Sequence, residues 1–146
     1  MFSALDAQIG AAIMAVICLY AFLSGGAPQR VTAVVTAIGW LGSGYLQQPA
    51  DLIDPQYATF ALDLVLLLVF AWIALHWRRG WSMAVVSFQL LTMLTHIAIM
   101  IDLRIAARAY VTAYLAWSYL LLLAVAWGGW AGWKDRRRGK APPPQT

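Results

Sequence analysis

The chain has 146 residues, of which 62% are hydrophobic and 11% are charged, and its mean hydropathy is +0.71. Soluble domains carry about 25% charged residues, so this composition is typical of a membrane protein and leaves no room for a soluble domain. The formal net charge of +4 comes from ten Lys and Arg residues against six Asp residues, and glutamate is absent.

The first apolar segment covers residues 8–24. Residues 1–8 carry only Asp6 and lack the basic region of a cleaved signal peptide, so we expect this segment to be retained. The single cysteine, Cys18, predicts neither a disulfide framework nor a Cys-based metal motif. We interpret it as a small buried hydrophobic residue.

The second segment, residues 30–46, is short and contains several hydroxyl residues and glycines. Gly39 and Ser43 have the small-xxx-small spacing of tightly packed membrane helices, which favours a spanning helix. An amphipathic helix lying in the membrane interface is the alternative, and it would reduce the number of spans from five to four.

Three longer segments follow at residues 58–76, 81–101 and 106–127. A helix of about 20 residues crosses the ~30 Å hydrocarbon core, and the connections between these segments are short, so the segments should be antiparallel neighbours. Residues 134–146 form a basic, Pro-rich tail that we expect to be extended or disordered beyond residue 140. The predicted fold is an all-α integral membrane bundle.

The distribution of charges predicts the topology. Cytoplasmic loops are enriched in Lys and Arg, which places the basic tail inside and, by alternation, the N-terminus outside. Eight of the ten basic residues then lie inside, and four of the six Asp residues lie outside. Tryptophans cluster at the predicted inner boundary, as in the aromatic belts of membrane proteins.

Asp63 is the only charged residue in the third segment. Charged residues within the membrane are rare and are candidates for functional sites. Asp63 is expected to lie roughly 9 Å from the outer boundary, and His96, on the next helix, roughly 8 Å from it. Because the two groups share a level, we predict that they are partners, and histidine changes charge near neutral pH.

Helical spacing adds polar neighbours to this pair. Gln89, Thr92 and His96 share one face of the fourth segment, and Thr36, Trp40 and Ser43 share one face of the second. Tyr110, Tyr114 and Trp117 do the same on the fifth segment. We therefore predict a polar pocket in the outer half of the bundle, with Ser43 included if the second segment spans. Its predicted ligand- or proton-binding residues are Asp63, His96, Gln89, Thr92 and Tyr110, and its predicted mouth is Arg104, Arg108 and Asp102.

These residues also have a purely structural interpretation. Polar side chains between membrane helices often serve only to hold the helices together, at about 0.6 kcal/mol each. Arg104 and Arg108 would then extend to lipid headgroups. An Asp–His pair exceeds what helix packing needs, so a binding role for Asp63 and His96 stays open.

Familiar catalytic sites are not indicated. His76 and His96 should be roughly 15 to 20 Å apart along the membrane normal, too far for one haem iron. A catalytic zinc site needs three protein ligands, and a serine hydrolase needs a nucleophile elbow; neither pattern is found. We expect no catalytic residue, cofactor or metal, and no nucleic-acid partner, since the one strong basic run is a short tail at the membrane.

Residues 81–126 carry a set of short motifs: Phe88-Gln89-Leu90, Thr95-His96, Asp102, Ala109-Tyr110 and Trp117-Ser118-Tyr119-Leu120. This stretch is similar to small uncharacterised multi-pass inner-membrane proteins common in alphaproteobacteria. The resemblance implies a location in a bacterial inner membrane and implies no activity.

Two functions are consistent with this sequence. The first is a non-enzymatic membrane protein whose outer-half pocket, centred on Asp63 and His96, binds or passes a small ligand or protons. The second is a packing or assembly subunit of a larger membrane complex, or a self-associating protein. A membrane enzyme is the least favoured, because no nucleophile or metal set is visible.

Overall fold

A computed structural model describes residues 4–46, 55–101 and 107–139, with side chains described for residues 8–46, 57–101 and 109–139. These residues form five α-helices and, within the described ranges, no strand. The helices are α1 (Ala4–Ser24), α2 (Ala27–Leu46), α3 (Pro55–Trp77), α4 (Gly80–Ile101) and α5 (Ala107–Gly139). The predicted all-α bundle of five helices is confirmed.

The helices form a closed ring in which each packs against its neighbours in sequence and α1 also packs against α5. Consecutive helices are antiparallel: Gly39 and Gly42 of α2, for example, approach Leu66 and Leu62 of α3. A further contact between α2 and α5 crosses the ring, where Trp40 meets Tyr119 edge-on at 6.3 Å. The centre of the bundle therefore lies between α2, α3, α4 and α5.

Three helical ranges are long and apolar enough to cross a membrane, judged by length and composition: Tyr57–Trp77, Gly80–Ile101 and Ala109–Gly139. This is fewer than the five predicted spans. The apolar part of α1, Gln8–Ser24, is shorter than these ranges. Helix α2 lacks a sufficiently apolar stretch because its buried face is largely polar or small, with Gln29, Thr32, Thr36 and Ser43.

The two turns that the structure describes, between α1 and α2 and between α3 and α4, are short and hydrogen-bonded. Gly26 precedes α2, and its amide donates to the side-chain oxygen of Gln29 at 3.0 Å, which is one half of a capping box. Between α3 and α4, Arg78 adopts a φ of 47°, a left-handed conformation that ends α3, and its amide donates to the carbonyl of Ala74. These turns hold each pair of helices antiparallel.

Helix α5 continues beyond the predicted fifth segment. That segment ends at residue 127, before Gly128 and Gly129, and the helix runs on to Gly139, so the first residues of the predicted tail are helical. The glycines serve close packing. A Cβ on Gly129 would lie 3.0 Å from the Cα of Ala21, and one on Gly132 would lie 2.8 Å from the Cα of Gly25. The remaining tail residues, 140–146, lie outside the described residues.

One end of the bundle, which we call the basic end, gathers cations from α2, the α3–α4 turn and α5. Arg136 donates to the carbonyl of Leu23 at 2.6 Å, and Arg30 donates to the carbonyl of Phe22 at 3.2 Å. These bonds satisfy carbonyls at the end of α1 that have no partner within the helix. Arg79 and Asp135 form an exposed ion pair at 3.1 Å.

The largest of the almost fully buried apolar side chains lie between the basic end and Asp63. Each is at most 2% exposed, and together they form a layer contributed by α3, α4 and α5. Its members are Phe70, Ile73, Val85, Leu122 and Val125. Many large apolar side chains on the outside of the bundle are exposed, including those of α1 and α2. Such a surface suits a lipid environment better than water.

Candidate polar centre around Asp63

Asp63 on α3 is held between two side chains of α4. Its Oδ2 lies 2.9 Å from Nε2 of His96, and its Oδ1 accepts a hydrogen bond of 3.0 Å from the amide nitrogen of Gln89. The side chains of His96 and Asp63 are only 3% and 5% exposed. Both carboxylate oxygens therefore have a partner inside the bundle, which offsets the cost of burying the charge.

The spacing of α4 explains how it holds the carboxylate from two sides. Gln89 and His96 are seven residues apart, so they share one helix face about two turns, or roughly 10 Å, from each other. Asp63 on the antiparallel helix α3 fits between them. The same amide nitrogen of Gln89 also lies 3.3 Å from the backbone carbonyl of Asp63.

Helix α5 completes the site on the far side of His96. The hydroxyl of Tyr110 lies 2.9 Å from Nδ1 of His96, and the rings of Tyr110 and Tyr114 meet the imidazole edge-on at 5.7 and 5.6 Å. Tyr110 itself is half-buried. The polar centre, defined as Gln89, Asp63, His96 and Tyr110, is thus a continuous chain of hydrogen bonds across three helices.

This chain can hold its geometry in two protonation states. When Asp63 is ionised, Nε2 of His96 carries a hydrogen and donates to it. Nδ1 then either accepts from the Tyr110 hydroxyl, when His96 is neutral, or donates to the same oxygen, when His96 is charged. The contacts of His96 with Asp63 and Tyr110 can therefore be kept in either state.

Several predicted pocket residues are brought together. Asp63, His96, Gln89 and Tyr110 are directly bonded, so the predicted pairing of Asp63 with His96 is present in the fold. Thr92 makes no bond to Asp63; its hydroxyl donates to the carbonyl of Phe88 at 3.1 Å. The predicted mouth lies outside the described residues: Asp102 and Arg104 are in the undescribed turn, and the side chain of Arg108 is not described.

A cavity lies beside Asp63. Thr92 and Ser43, which belong to the predicted pocket, line it. Thr36 of α2 and Ser118 of α5 also line it and were not in the predicted pocket. Thr36 belongs to the α2 face whose polar spacing was visible in the sequence. Ser118 carried no such signal, because a serine in an apolar helix commonly bonds its own backbone.

A second interhelical hydrogen bond lies close to the polar centre. The indole nitrogen of Trp117 donates to the hydroxyl of Thr95 at 3.2 Å, and that hydroxyl donates to the carbonyl of Leu91 at 2.8 Å. The bond joins α4 to α5 one residue before His96. It fixes the register of α5, and so the position of Tyr110 against the imidazole.

Comparison with known proteins finds no matching family model, curated protein or solved structure. The polar centre must therefore be interpreted from its own chemistry. Within the described part of the chain, no group of three or more His, Cys, Asp or Glu side chains is placed to hold a metal ion. What the centre offers is one carboxylate, one imidazole and the polar groups bonded to them.

Proposed function

We propose that this protein is a small multi-pass membrane protein whose polar centre binds or passes protons or a small ligand. Asp63 is the charge-bearing group, and His96 is its titrating partner. The observation that carries this proposal is the 2.9 Å contact between Asp63 and His96, almost fully buried among apolar helices. An ionisable pair at such a depth is costly and is typical of proton relays and binding sites.

The arrangement around the pair supports a proton-handling role. Tyr110 is half-buried and reaches Nδ1 of His96 from one side, whereas Asp63 borders the cavity on the other. Histidine exchanges protons near neutral pH, and its two nitrogens can serve two different partners. Tyr110, His96 and Asp63 therefore form a path along which a proton moves by short steps between bonded groups.

All five helices span the membrane in this proposal. Helices α1 and α2 are members of the same ring as the three apolar spans. Their outward side chains, such as Leu19, Ile38 and Leu41, are apolar and well exposed. The basic end faces the cytoplasm according to the positive-inside rule, which places the N-terminus outside and the polar centre in the outer half. A bacterial inner membrane is the proposed location.

The decisive experiment compares the wild type with Asp63→Asn in liposomes containing a pH-sensitive dye. Asn keeps the size of the side chain and removes its charge, so the protein should still insert. The rate of proton entry after a pH jump should fall to that of protein-free liposomes. Asp135→Asn is the matched control, because Asp135 is an exposed acid at the basic end, and it should retain the wild-type rate.

A binding role without flux is tested by nitrogen-15 labelling of histidine. The chain has only two histidines, and His76 stacks on Trp72 at 5.2 Å, well away from the polar centre. Asp63→Asn should change how the His96 signal depends on pH and leave the His76 signal as it is. Unchanged flux together with an unchanged His96 signal would refute the proposal.

The competing proposal is a packing subunit of a larger membrane complex. It expects a stable larger partner in a mild-detergent pull-down through the C-terminal end, and no effect of Asp63→Asn on proton signals. A monodisperse monomer or homodimer that keeps the pH-dependent His96 signal would favour the proton-binding role.

A further inference from the structure

A small cavity lies at the centre of the bundle, directly beside Asp63. It provides about 40 Å³ of space for the centres of water-sized molecules, and one water needs about 10–15 Å³ by this measure. Asp63 and Ser43 border it at one level, and it extends toward the basic end as far as Thr36 and Phe70. Phe70, a member of the apolar layer, is part of the cavity wall at that end.

The polar wall of this cavity is rich in hydrogen-bond acceptors. The hydroxyl of Thr92 donates to the carbonyl of Phe88 at 3.1 Å, and that of Ser118 donates to the carbonyl of Tyr114 at 2.8 Å. Their hydrogens are therefore already engaged, and only the lone pairs of the oxygens are left for a ligand.

The two remaining polar groups on α3 and α4 behave in the same way. The amide nitrogen of Gln89 is engaged by Asp63, so the amide offers its oxygen as an acceptor. The carboxylate of Asp63 accepts one bond at each oxygen and has further lone pairs. A ligand that bonds to Asp63, Gln89, Thr92 and Ser118 must supply hydrogens, and positive charge would suit the carboxylate.

Thr36 gives an independent sign that a polar ligand belongs here. Its side chain is on the wall of the cavity, the residue is 3% exposed, and its hydroxyl oxygen is buried without a hydrogen-bond partner. A buried hydroxyl is costly to leave unpaired, so such groups are normally satisfied by protein, water or ligand.

We propose that the cavity binds a small cation with several N–H donors, of the ammonium and methylammonium class. This inference rests on the proposed function, because it names the ligand of the same polar centre. The donors of the cation meet Asp63, Gln89, Thr92 and Ser118, and Thr36 gains its missing partner. The available space holds an ammonium ion with one or two waters and excludes tetramethylammonium.

Charge balance links this cation to the proton on His96. The buried carboxylate of Asp63 needs one positive partner, and the geometry offers two: His96, when it carries a second proton, or an ammonium ion in the cavity. Among the residues whose side chains are described, the titratable groups around the centre are Asp63 of α3, His96 of α4, and Tyr110 and Tyr114 of α5. The α2 residues on the cavity wall, Thr36, Gly39, Trp40 and Ser43, are uncharged. One ammonium ion is thus exchanged for one proton.

The experiment titrates the purified protein in mild detergent with ammonium chloride and follows thermal unfolding. A ligand that binds only the folded state raises the unfolding temperature with concentration. Potassium chloride is the matched control, since K⁺ has nearly the same ionic radius and no hydrogen-bond donor. Ammonium should stabilise the protein at concentrations where potassium and tetramethylammonium have no effect, and binding should release protons into a weakly buffered solution.

A pair of threonines on α2 provides a matched control within the chain. Thr36→Val removes the unpaired hydroxyl and should weaken ammonium binding about tenfold. Thr32→Val removes a hydroxyl that is bonded to the carbonyl of Pro28 at 2.9 Å and does not line the cavity, so it should leave the affinity unchanged. Equal losses in both variants would overturn the assignment of Thr36 to the site.

The outcomes separate this inference from the proposed function. Equal stabilisation by potassium and ammonium, or none by either, would overturn the ammonium site. If the His96 signal still responds to pH and Asp63→Asn still alters it, the proton-binding role stands without the cation. If the His96 signal and proton flux are also insensitive to Asp63→Asn, both proposals fail together.

Discussion

The contact around Asp63 and the contact between α1 and α5 join helices by opposite means. Around Asp63, three helices are linked by side chains that reach across a gap, and each polar atom depends on its partner. Between α1 and α5, Gly129 and Gly132 bring the two backbones together, with the side chains of Tyr20 and Gln29 packed beside them. The region around Asp63 should therefore be destabilised when a polar side chain is removed, and the contact between α1 and α5 when a larger side chain replaces a glycine.

This difference also separates a region that can respond to a ligand from one that only supports the fold. The side-chain network contains ionisable groups and borders a cavity, so it can respond to a proton or a ligand. The glycine contact has no group that can respond and serves to fix the ring. Substitutions in the two regions, measured by unfolding in mixed detergent, test whether this division holds.

The largest effect is expected for Asp63→Ala. The substitution leaves the Gln89 amide and the Nε2–H of His96 without a buried acceptor, and breaking a buried ion pair typically costs about 3–5 kcal/mol. The free energy of unfolding should fall by that amount. Asp135→Ala is the control at an exposed pair and should change it by less than about 0.5 kcal/mol. Equal effects would mean that the network is not a stabilising element.

A smaller effect is expected for Gly132→Ala. The new methyl group would lie 2.8 Å from the Cα of Gly25, a backbone atom that cannot move aside without shifting α1. Overpacking of this kind costs about 1–3 kcal/mol. Gly44→Ala is the control, because a Cβ there meets nothing within 4 Å and alanine favours the helix by up to about 1 kcal/mol. A stabilised Gly132→Ala variant would contradict the close approach.

The smallest effect is expected for Tyr110→Phe, which removes the hydroxyl that bonds Nδ1 of His96. Interhelical hydrogen bonds in membranes contribute about 0.6 kcal/mol on average, so the loss of stability should be close to that value. The nitrogen-15 signal of His96 should change more clearly than the stability does. Tyr45→Phe, at a site 77% exposed, serves as the control for the loss of a hydroxyl.

Much of the polar centre could be predicted from the sequence because a helix relates residue number to depth. Counting from the segment ends placed Asp63 and His96 at one level, and helical spacing placed Gln89 on the same face of α4. Tyr110 followed from the face it shares with Tyr114. The role of these residues in binding stays a prediction, since no match with a known protein bears on it.

Other features depend on contacts that spacing does not reveal. Gly128 and Gly129 lie within α5, although glycine is unfavourable within helices, because they are packed against Trp81 and Tyr20. The small residues Ala21 on α1, Gly25 directly after it, and Gly129 and Gly132 on α5 were a possible signal for the contact between these two helices. The cavity could not be predicted, since its shape depends on how four helices are rotated.

The hydrogen bond from Arg136 to the carbonyl of Leu23 has a consequence for biosynthesis. The two residues are 113 positions apart, so the end of α1 is made long before the arginine that completes it. Until α5 is synthesised, α1 has an uncovered face of small residues and an unsatisfied terminus. Assembly of the ring must then end with the docking of α5 against α1. A chain shortened before α5 would leave that face uncovered.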